Sequence, residues 1–139
     1  MYSQNVMDVI TPIAIAALAV VTATGNTTGV DLLGAASANP SATTNYEGQM
    51  AFMLNGINNS GTTPTLAAKL QDSDDNSSFA DVVGGGFAGM TTTNVNGLQK
   101  VVVSRENLRR YVRIAFTAGG TSPNYTVGVT ALAIKKNPA

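Results

Sequence analysis

Polar, turn-forming runs interrupt the hydrophobic pattern at short intervals along the chain: GNTTG (25–29), NNSGTTP (58–64), DSDDNSS (72–78) and GGTSPN (119–124). Between them lie apolar or alternating segments of about five to ten residues, which is strand length rather than helix length. The eight predicted strands are 18–24, 30–33, 49–57, 65–71, 79–83, 98–103, 110–118 and 125–134. This spacing predicts an all-β fold, a single-domain antiparallel β-sandwich of the jelly-roll type.

The last two predicted strands indicate which side chains form the core. Within 110–117, Val112, Ile114 and Phe116 fall on one face and are expected to point inward. Within 126–134, apolar residues occur on both faces, which predicts a central strand. Segment 105–110 (RENLRR) predicts one helical turn.

The N-terminal segment 10–21 (ITPIAIAALAVV) is compatible with two conformations. Its alanines favour a helix, whereas its apolar residues also alternate as in a strand. We expect an extended N-terminal arm, residues 1–17, leading into a sandwich domain of residues 18–139. An ordinary strand inside the domain is the alternative for the same residues.

The same segment is the only one that suggests a membrane. A span needs about 20 residues, and this segment has 12 and includes Pro12. A secretory signal begins with basic residues, yet no Lys or Arg precedes Lys69. Neither a membrane span nor a signal peptide is therefore expected.

The composition of the chain excludes several classes of catalytic site and metal site. The chain has 139 residues, a net charge of zero, 12% charged residues, no His and no Cys. Catalytic Ser-His-Asp and Cys-His arrangements, and metal sites built on imidazole or thiolate, are thereby excluded. A dedicated nucleic-acid or membrane-surface binder is normally far more basic. We expect no catalytic residues, no metal and no cofactor, and neither nucleic acid nor membrane as a partner.

Charge is unevenly distributed along the chain despite its zero sum. Residues 1–68 hold three acids and no base, whereas residues 69–139 hold eight bases and five acids. The acidic cluster consists of Asp72, Asp74, Asp75 and Asp81, and the basic cluster of Lys100, Arg105, Arg109, Arg110 and Arg113. Complementary clusters could bind other copies of the chain or a partner of mixed charge. The alternative is that both are ordinary solvated surface.

Three short motifs match functional patterns incompletely. The run 72–76 places oxygen ligands as a calcium loop does, but Ser77 and Val83 stand where such a loop needs Gly and Glu. A hairpin turn rich in Asp and Asn explains it without an ion. The run 84–89 fits GxGxxG, yet no helical pattern follows it. No acid is placed opposite Asp74 and Asp75, as glycosidase chemistry requires.

Two longer stretches, LAAKLQDSDDNSSFADVV (66–83) and RRYVRIAFTAGGTSPNYTVGVTALAI (109–134), resemble a family of small virion proteins of tailed bacteriophages. The family pattern has an L-Q-x-S-D-D turn, an F-x-D-V strand, an R-Y-V-R strand and a final V-G-V strand. They correspond here to 70–75, 79–82, 110–113 and 127–129. Segment 8–34 is similar to the opening of the family, and Asn76 stands where the family turn often has Gly.

The resemblance implies a non-enzymatic capsid decoration or cement protein on the phage head surface. Its implied partners are the major capsid protein or other virion proteins and further copies of itself, as a homotrimer. The candidate interface residues are Val6, Ile10, Ile13 and Ile15 in the arm, and Arg105, Arg109 and Arg113 in the basic cluster. The alternatives are another virion component, such as a head fibre, tail or baseplate-associated protein, and a carbohydrate-binding β-sandwich module.

Overall fold

The computed structural model describes residues 10–32, 46–93 and 95–135, and in these ranges the chain is nearly all strand. The strands are β1 (Ile10–Val21), β2 (Gly25–Asn26), β3 (Val30–Asp31), β4 (Tyr46–Ser73), β5 (Ala80–Gly86), β6 (Leu98–Ser104) and β7 (Tyr111–Lys135). A short 3-10 helix, η1 (Arg105–Asn107), follows β6, where a helical turn was predicted. The described part of the chain contains no helix with the length and apolar character to cross a membrane.

Two long antiparallel strands, β4 and β7, form the centre of the fold. Each merges two strands that the sequence predicted separately. The polar runs expected to be turns, 58–64 and 119–124, instead pair with each other in three irregular steps, Ser60↔Asn124, Thr62↔Thr121 and Thr65↔Gly119. The backbone turns sharply there, with positive φ at Gly61, Thr63, Gly120 and Ser122. The runs bend both strands without ending them.

The bend divides the sheet into two layers of four extended segments. The front layer contains β1, residues 125–135 of β7, residues 46–58 of β4, and β6, paired in that order. The back layer contains β2 with β3, residues 111–119 of β7, residues 65–73 of β4, and β5.

Numbering these eight segments in chain order, and counting β2 with β3 as one, the layers read 1-8-3-6 and 2-7-4-5. This is the order of a jelly roll, which handles the problem of exposed sheet edges by pairing two layers. The predicted fold class, an antiparallel β-sandwich, is confirmed.

The core lies between the two layers. Val112 and Ile114 are fully buried and Phe116 nearly so, as the alternation predicted. The second half of β7 has neighbours on both sides, β1 and β4, and is a central strand as expected. The largest fully buried side chains come from both layers and from the adjoining loops: Tyr125, Phe52, Leu32, Met50, Leu54, Leu66, Leu70, Met90, Ile114, Val112, Val127 and Val129.

Strand β1 belongs to this sandwich. It pairs with β7 from Ile10↔Ile134 to Val21↔Tyr125, and the side chain of Ile15 lies in the core. Residues 10–17 of the predicted arm are therefore an ordinary strand of the domain, because their backbone pairs with β7 and the side chains of Ile15 and Ala16 are buried. Residues 1–9, which include the candidate interface residue Val6, lie outside the described residues.

Candidate functional site

The front layer carries an uncovered apolar surface on its outer side. Directly paired residues share a face, so pairs such as Ala51↔Val102 and Ile10↔Ile134 place apolar side chains next to one another across the strands. Six of the eight large hydrophobic side chains exposed in the described part of the chain lie here, among them Leu18 and Leu98. We call this surface the apolar face; its apolar residues are Ile10, Pro12, Ala14, Leu18, Val20, Ala51, Met53, Ile57, Leu98, Val102, Leu132 and Ile134. Asn55, Thr126 and Thr130 lie among them.

A groove of about 400 Å³ crosses the apolar face between Leu18 on β1 and Leu98 on β6. Gly128 forms part of its floor, and a Cβ at this position would lie 3.3 Å from the Cα of Leu18. The absence of a side chain there keeps the groove open between the two leucines. Lys100 is the one charged residue among the described side chains of this face.

The back layer has the opposite character, because its outer side is charged and internally paired. The Asp81 carboxylate accepts hydrogen bonds from Lys69 Nζ at 2.9 Å and from Gln71 Nε2 at 2.8 Å. These two donors, Gln71 first, hold the pKa of Asp81 below its usual range. Arg113 donates to Gln71 Oε1 at 2.9 Å, and its guanidinium lies 4.0 Å from the centre of the Phe79 ring.

Two further arginines of the basic cluster bind carboxylates of the same chain. Arg109 donates from its backbone N–H and from Nε to the two carboxylate oxygens of Asp72, each at 3.0 Å. Arg110 makes a two-pronged contact with Asp31, at 3.0 and 2.8 Å. The acidic and basic clusters therefore cross-link strands and loops of one molecule.

Arg105, in η1, is a buried cation. Its Nη1 donates to the carbonyl of Leu108 at 2.7 Å, whereas its Nε has no hydrogen-bond partner. Burial lowers the pKa of this guanidinium, because the charged form loses its hydration.

The turn 72–78 is held by its own side chains. Asp75 Oδ1 accepts from the backbone N–H groups of Ser77 and Ser78, each at 2.9 Å, and from the Ser73 hydroxyl at 2.8 Å. These bonds, with Ser78 contributing most, lower the pKa of Asp75 to about 2. Over residues 10–32, 46–93 and 95–135, no group of three or more His, Cys, Asp or Glu side chains is arranged to hold a metal ion.

The GxGxxG run lies in β5 and the loop after it. Gly84, Gly85 and Gly86 are strand residues, and the chain continues through a loop to the isolated bridge Leu66↔Met90. No helix begins there in the described residues, so the arrangement of a dinucleotide site is not formed.

A depression of about 420 Å³ beside β5 brings two carboxylates together, those of Asp72 and Asp81. Each is bound to a cation of the same chain, Arg109 and Lys69 respectively. A general acid needs a carboxyl group whose pKa is raised, and the pKa of Asp81 is lowered. The carboxylates of Asp72 and Asp81 therefore form ion pairs that connect elements of the back layer.

The six predicted interface residues within the described ranges lie in four different environments. Ile10 is on the apolar face, whereas Ile13 and Ile15 pack against or within the core. Arg105 is buried, and Arg109 and Arg113 are bound to groups of their own chain. Their role toward a partner stays a prediction.

Sequence reasoning missed the apolar face itself. The signal is the apolar character of both faces in segment 126–134, a pattern that a central strand alone also explains. The alternation of Leu98, Lys100 and Val102 with their neighbours carried the same information for β6.

The chain matches no protein-family model and no curated protein. Among solved structures, VP2 of infectious bursal disease virus in its subviral particle matches with a TM-score of 0.51 and 13% identity, over 91% of this chain and 32% of VP2. The protein of the T13 particle of the same virus matches with a TM-score of 0.54 and 10% identity, over 93% of this chain and 31% of that one.

A bacterial protein is similar to the same degree. Dimeric latent PorU from Porphyromonas gingivalis matches with a TM-score of 0.52 and 9% identity, over 91% of this chain and 13% of PorU. The chain thus spans at most about a third of the length of these proteins. At such identities the likeness establishes the fold: this chain has a jelly-roll domain of the kind found within a virus-particle protein and within PorU.

Proposed function

We propose that this chain is a structural protein of a virus particle, namely a capsid decoration or cement protein that binds the outer head surface of a tailed bacteriophage. The observation that carries a role in protein contacts is the apolar face. Six large hydrophobic side chains are exposed together on it. Such a cluster often marks a contact with another protein, because removing apolar area from water is favourable.

Two findings support a virion as the setting. VP2, whose domain has the same fold, forms particles of infectious bursal disease virus. Stretches 66–83 and 109–134 carry the resemblance to small virion proteins of tailed phages, and they contain the end of β4, the beginning of β5 and nearly all of β7.

The arrangement of charge supports a non-enzymatic role. The carboxylates and guanidiniums that a catalytic site would need are bound to one another across the back layer. A cement protein needs many weak contacts repeated over a large shell, which multiply through avidity without a deep pocket.

Co-sedimentation with empty heads that lack this protein tests the proposal. The full chain is expected to pellet with the heads and to raise the temperature at which they open. Deleting residues 1–9, which removes Val6 and leaves β1 in place, is expected to reduce the pelleted fraction. Val83→Asp serves as a matched control, because Val83 is exposed on β5 in the back layer.

A chain that stays in the supernatant at all concentrations, with no effect on head stability, would overturn the proposal. Specific binding to a glycan array without binding to heads would support a carbohydrate-binding module instead.

A further inference from the structure

The apolar face is large enough to hold a second protein. Strands lie about 4.8 Å apart and rise about 3.3 Å per residue, so four strands of about ten residues cover about 600 Å². Covering this surface on two molecules buries about 1,200 Å² in total, which reaches the range of specific protein interfaces.

The charge of the face restricts what can cover it. Lys100 is its one charge among the described side chains, and it lies on β6, the strand at the edge of the front layer. Glu47 pairs with Ile134 at the end of the face, so its register position adds one residue of the opposite charge. A strongly acidic or basic partner would find a single charge of opposite sign to pair with. A partner surface that is itself apolar and nearly uncharged fits best, and this chain carries such a surface.

We propose that the apolar face is the interface of a two-fold symmetric dimer, in which the front layers of two copies of this chain pack against each other. The inference goes beyond the proposed function: with the apolar face enclosed in the dimer, the head would be bound by the other surfaces, each of which the dimer carries twice.

The geometry favours one orientation of the two-fold axis. An axis parallel to the strands stacks β6 of one copy over β1 of the other, because it reverses the strand order 1-8-3-6. Leu98, which shares a row with Asn55 and Gly128, then faces Leu18 of the second copy. Lys100 lies over the row of Ala14, and no like charges meet. An axis perpendicular to the strands would instead stack β6 over β6, and it would bring the two Lys100 side chains together when it passes near Lys100.

A face-to-face contact of this kind is isologous and closes with two copies. It therefore predicts a dimer, whereas the resemblance to phage virion proteins implied a trimer. Pairing of two copies edge to edge through β1 is less favourable than the face-to-face contact. Pro12 removes a backbone donor, and the pairing of β1 is irregular at Ala14/Ala16 and Ala16/Ala19.

The test is the mass of the full chain by light scattering and sedimentation over a range of concentrations. We expect twice the chain mass of 14.2 kDa. Leu98→Asp is expected to weaken the dimer by about 30-fold or more, because it places an unpaired carboxylate against Leu18 of the second copy. Val83→Asp is the matched control and is expected to leave the dimer intact, because Val83 lies outside the apolar face.

Leu18 and Leu98 are largely exposed in the single chain. Variants at these two positions are therefore expected to keep the circular dichroism spectrum and the Tm of the monomer fold. Leu98→Ser provides a second, milder variant. Since the chain has no Cys, Leu18→Cys and Leu98→Cys can be mixed and treated with a short bismaleimide. A cross-linked heterodimer of the two variants is expected.

A monomer or a trimer at all concentrations would overturn the inference, as would a dimer that Leu98→Asp leaves unchanged. A monomer that binds heads, and loses this binding in Leu98→Asp, would assign the apolar face to the head and not to a second copy. A dimer that fails to bind heads would overturn the proposed function alone.

Discussion

Gly120 stands where β7 crosses between the two layers, with a φ of +84°. A Cβ at this position would overlap the backbone carbonyl of Thr63 in the paired bend of β4. Two strands can therefore bend side by side here only because this residue lacks a side chain and adopts the left-handed conformation readily.

Gly120→Ala is expected to lower the free energy of unfolding by about 1–3 kcal/mol, since it combines backbone strain with a backbone clash. Gly86→Ala is the control, because a Cβ at Gly86 has nothing within 4 Å. Urea denaturation of both variants measures the difference. Equal stability of the two variants would contradict the role given to the bend.

Asp75 makes the fold sensitive to acid. Its pKa falls from the ordinary 3.8 to about 2, chiefly through the backbone N–H of Ser78. A group whose pKa is lowered on folding stabilises the protein above the unfolded pKa, and this contribution is lost as the pH falls from about 4 toward 2.

Asp75→Asn is expected to reduce the loss of stability between pH 5 and pH 2, because the amide does not titrate. The urea midpoint of both proteins, followed through this range, measures the effect. Identical acid profiles for the two proteins would show that the turn 72–78 does not bind its carboxylate as described.

At the scale of elements, hydrophobic alternation predicted most strands but not where they join. The alternation around Val112, Ile114 and Phe116 located the core side of β7 correctly. The runs 58–64 and 119–124 contain the residues of turns, and a local pattern cannot reveal that each run pairs with the other at long range. For the same reason the sequence could place acids and bases in clusters but could not show that Asp72 binds Arg109.

Substitutions in strand β1 test whether residues 10–17 are part of the domain. Ile15→Ala is expected to cost about 2–4 kcal/mol of stability, as truncation of a buried Ile does. Leu18→Ala, on the exposed side of the same strand, is expected to leave monomer stability nearly unchanged. Thermal denaturation of both variants measures the difference. An unchanged Tm for Ile15→Ala would indicate that residues 10–17 are an arm outside the domain.

The pairing of Arg109 with Asp72 is expected to matter more than that of Arg110 with Asp31. The Asp72 side chain is 9% exposed, whereas that of Asp31 is 28% exposed. Removing one partner of a buried pair leaves an unpaired charge, while exposed pairs contribute little. Arg109→Met is expected to lower Tm by about 5 °C or more, and Arg110→Met much less; a reversed order would contradict this ranking.

At the scale of the whole molecule, β4 and β7 each belong to both layers. Neither layer can separate without breaking strands that the other layer also uses. Heat and urea unfolding are therefore expected to show one transition, with the same midpoint by circular dichroism and by tyrosine fluorescence. Single domains of this size usually unfold in one cooperative transition. Separate transitions for the two layers would contradict the shared-strand architecture.

The difference between the two outer surfaces gives the molecule polarity from side to side. A single copy therefore has two unlike sides. Pairing through the apolar side encloses it, so the pair exposes the same ionic surface in both directions. Such a pair could lie on a shell with either side down and would still present an identical surface to the solvent.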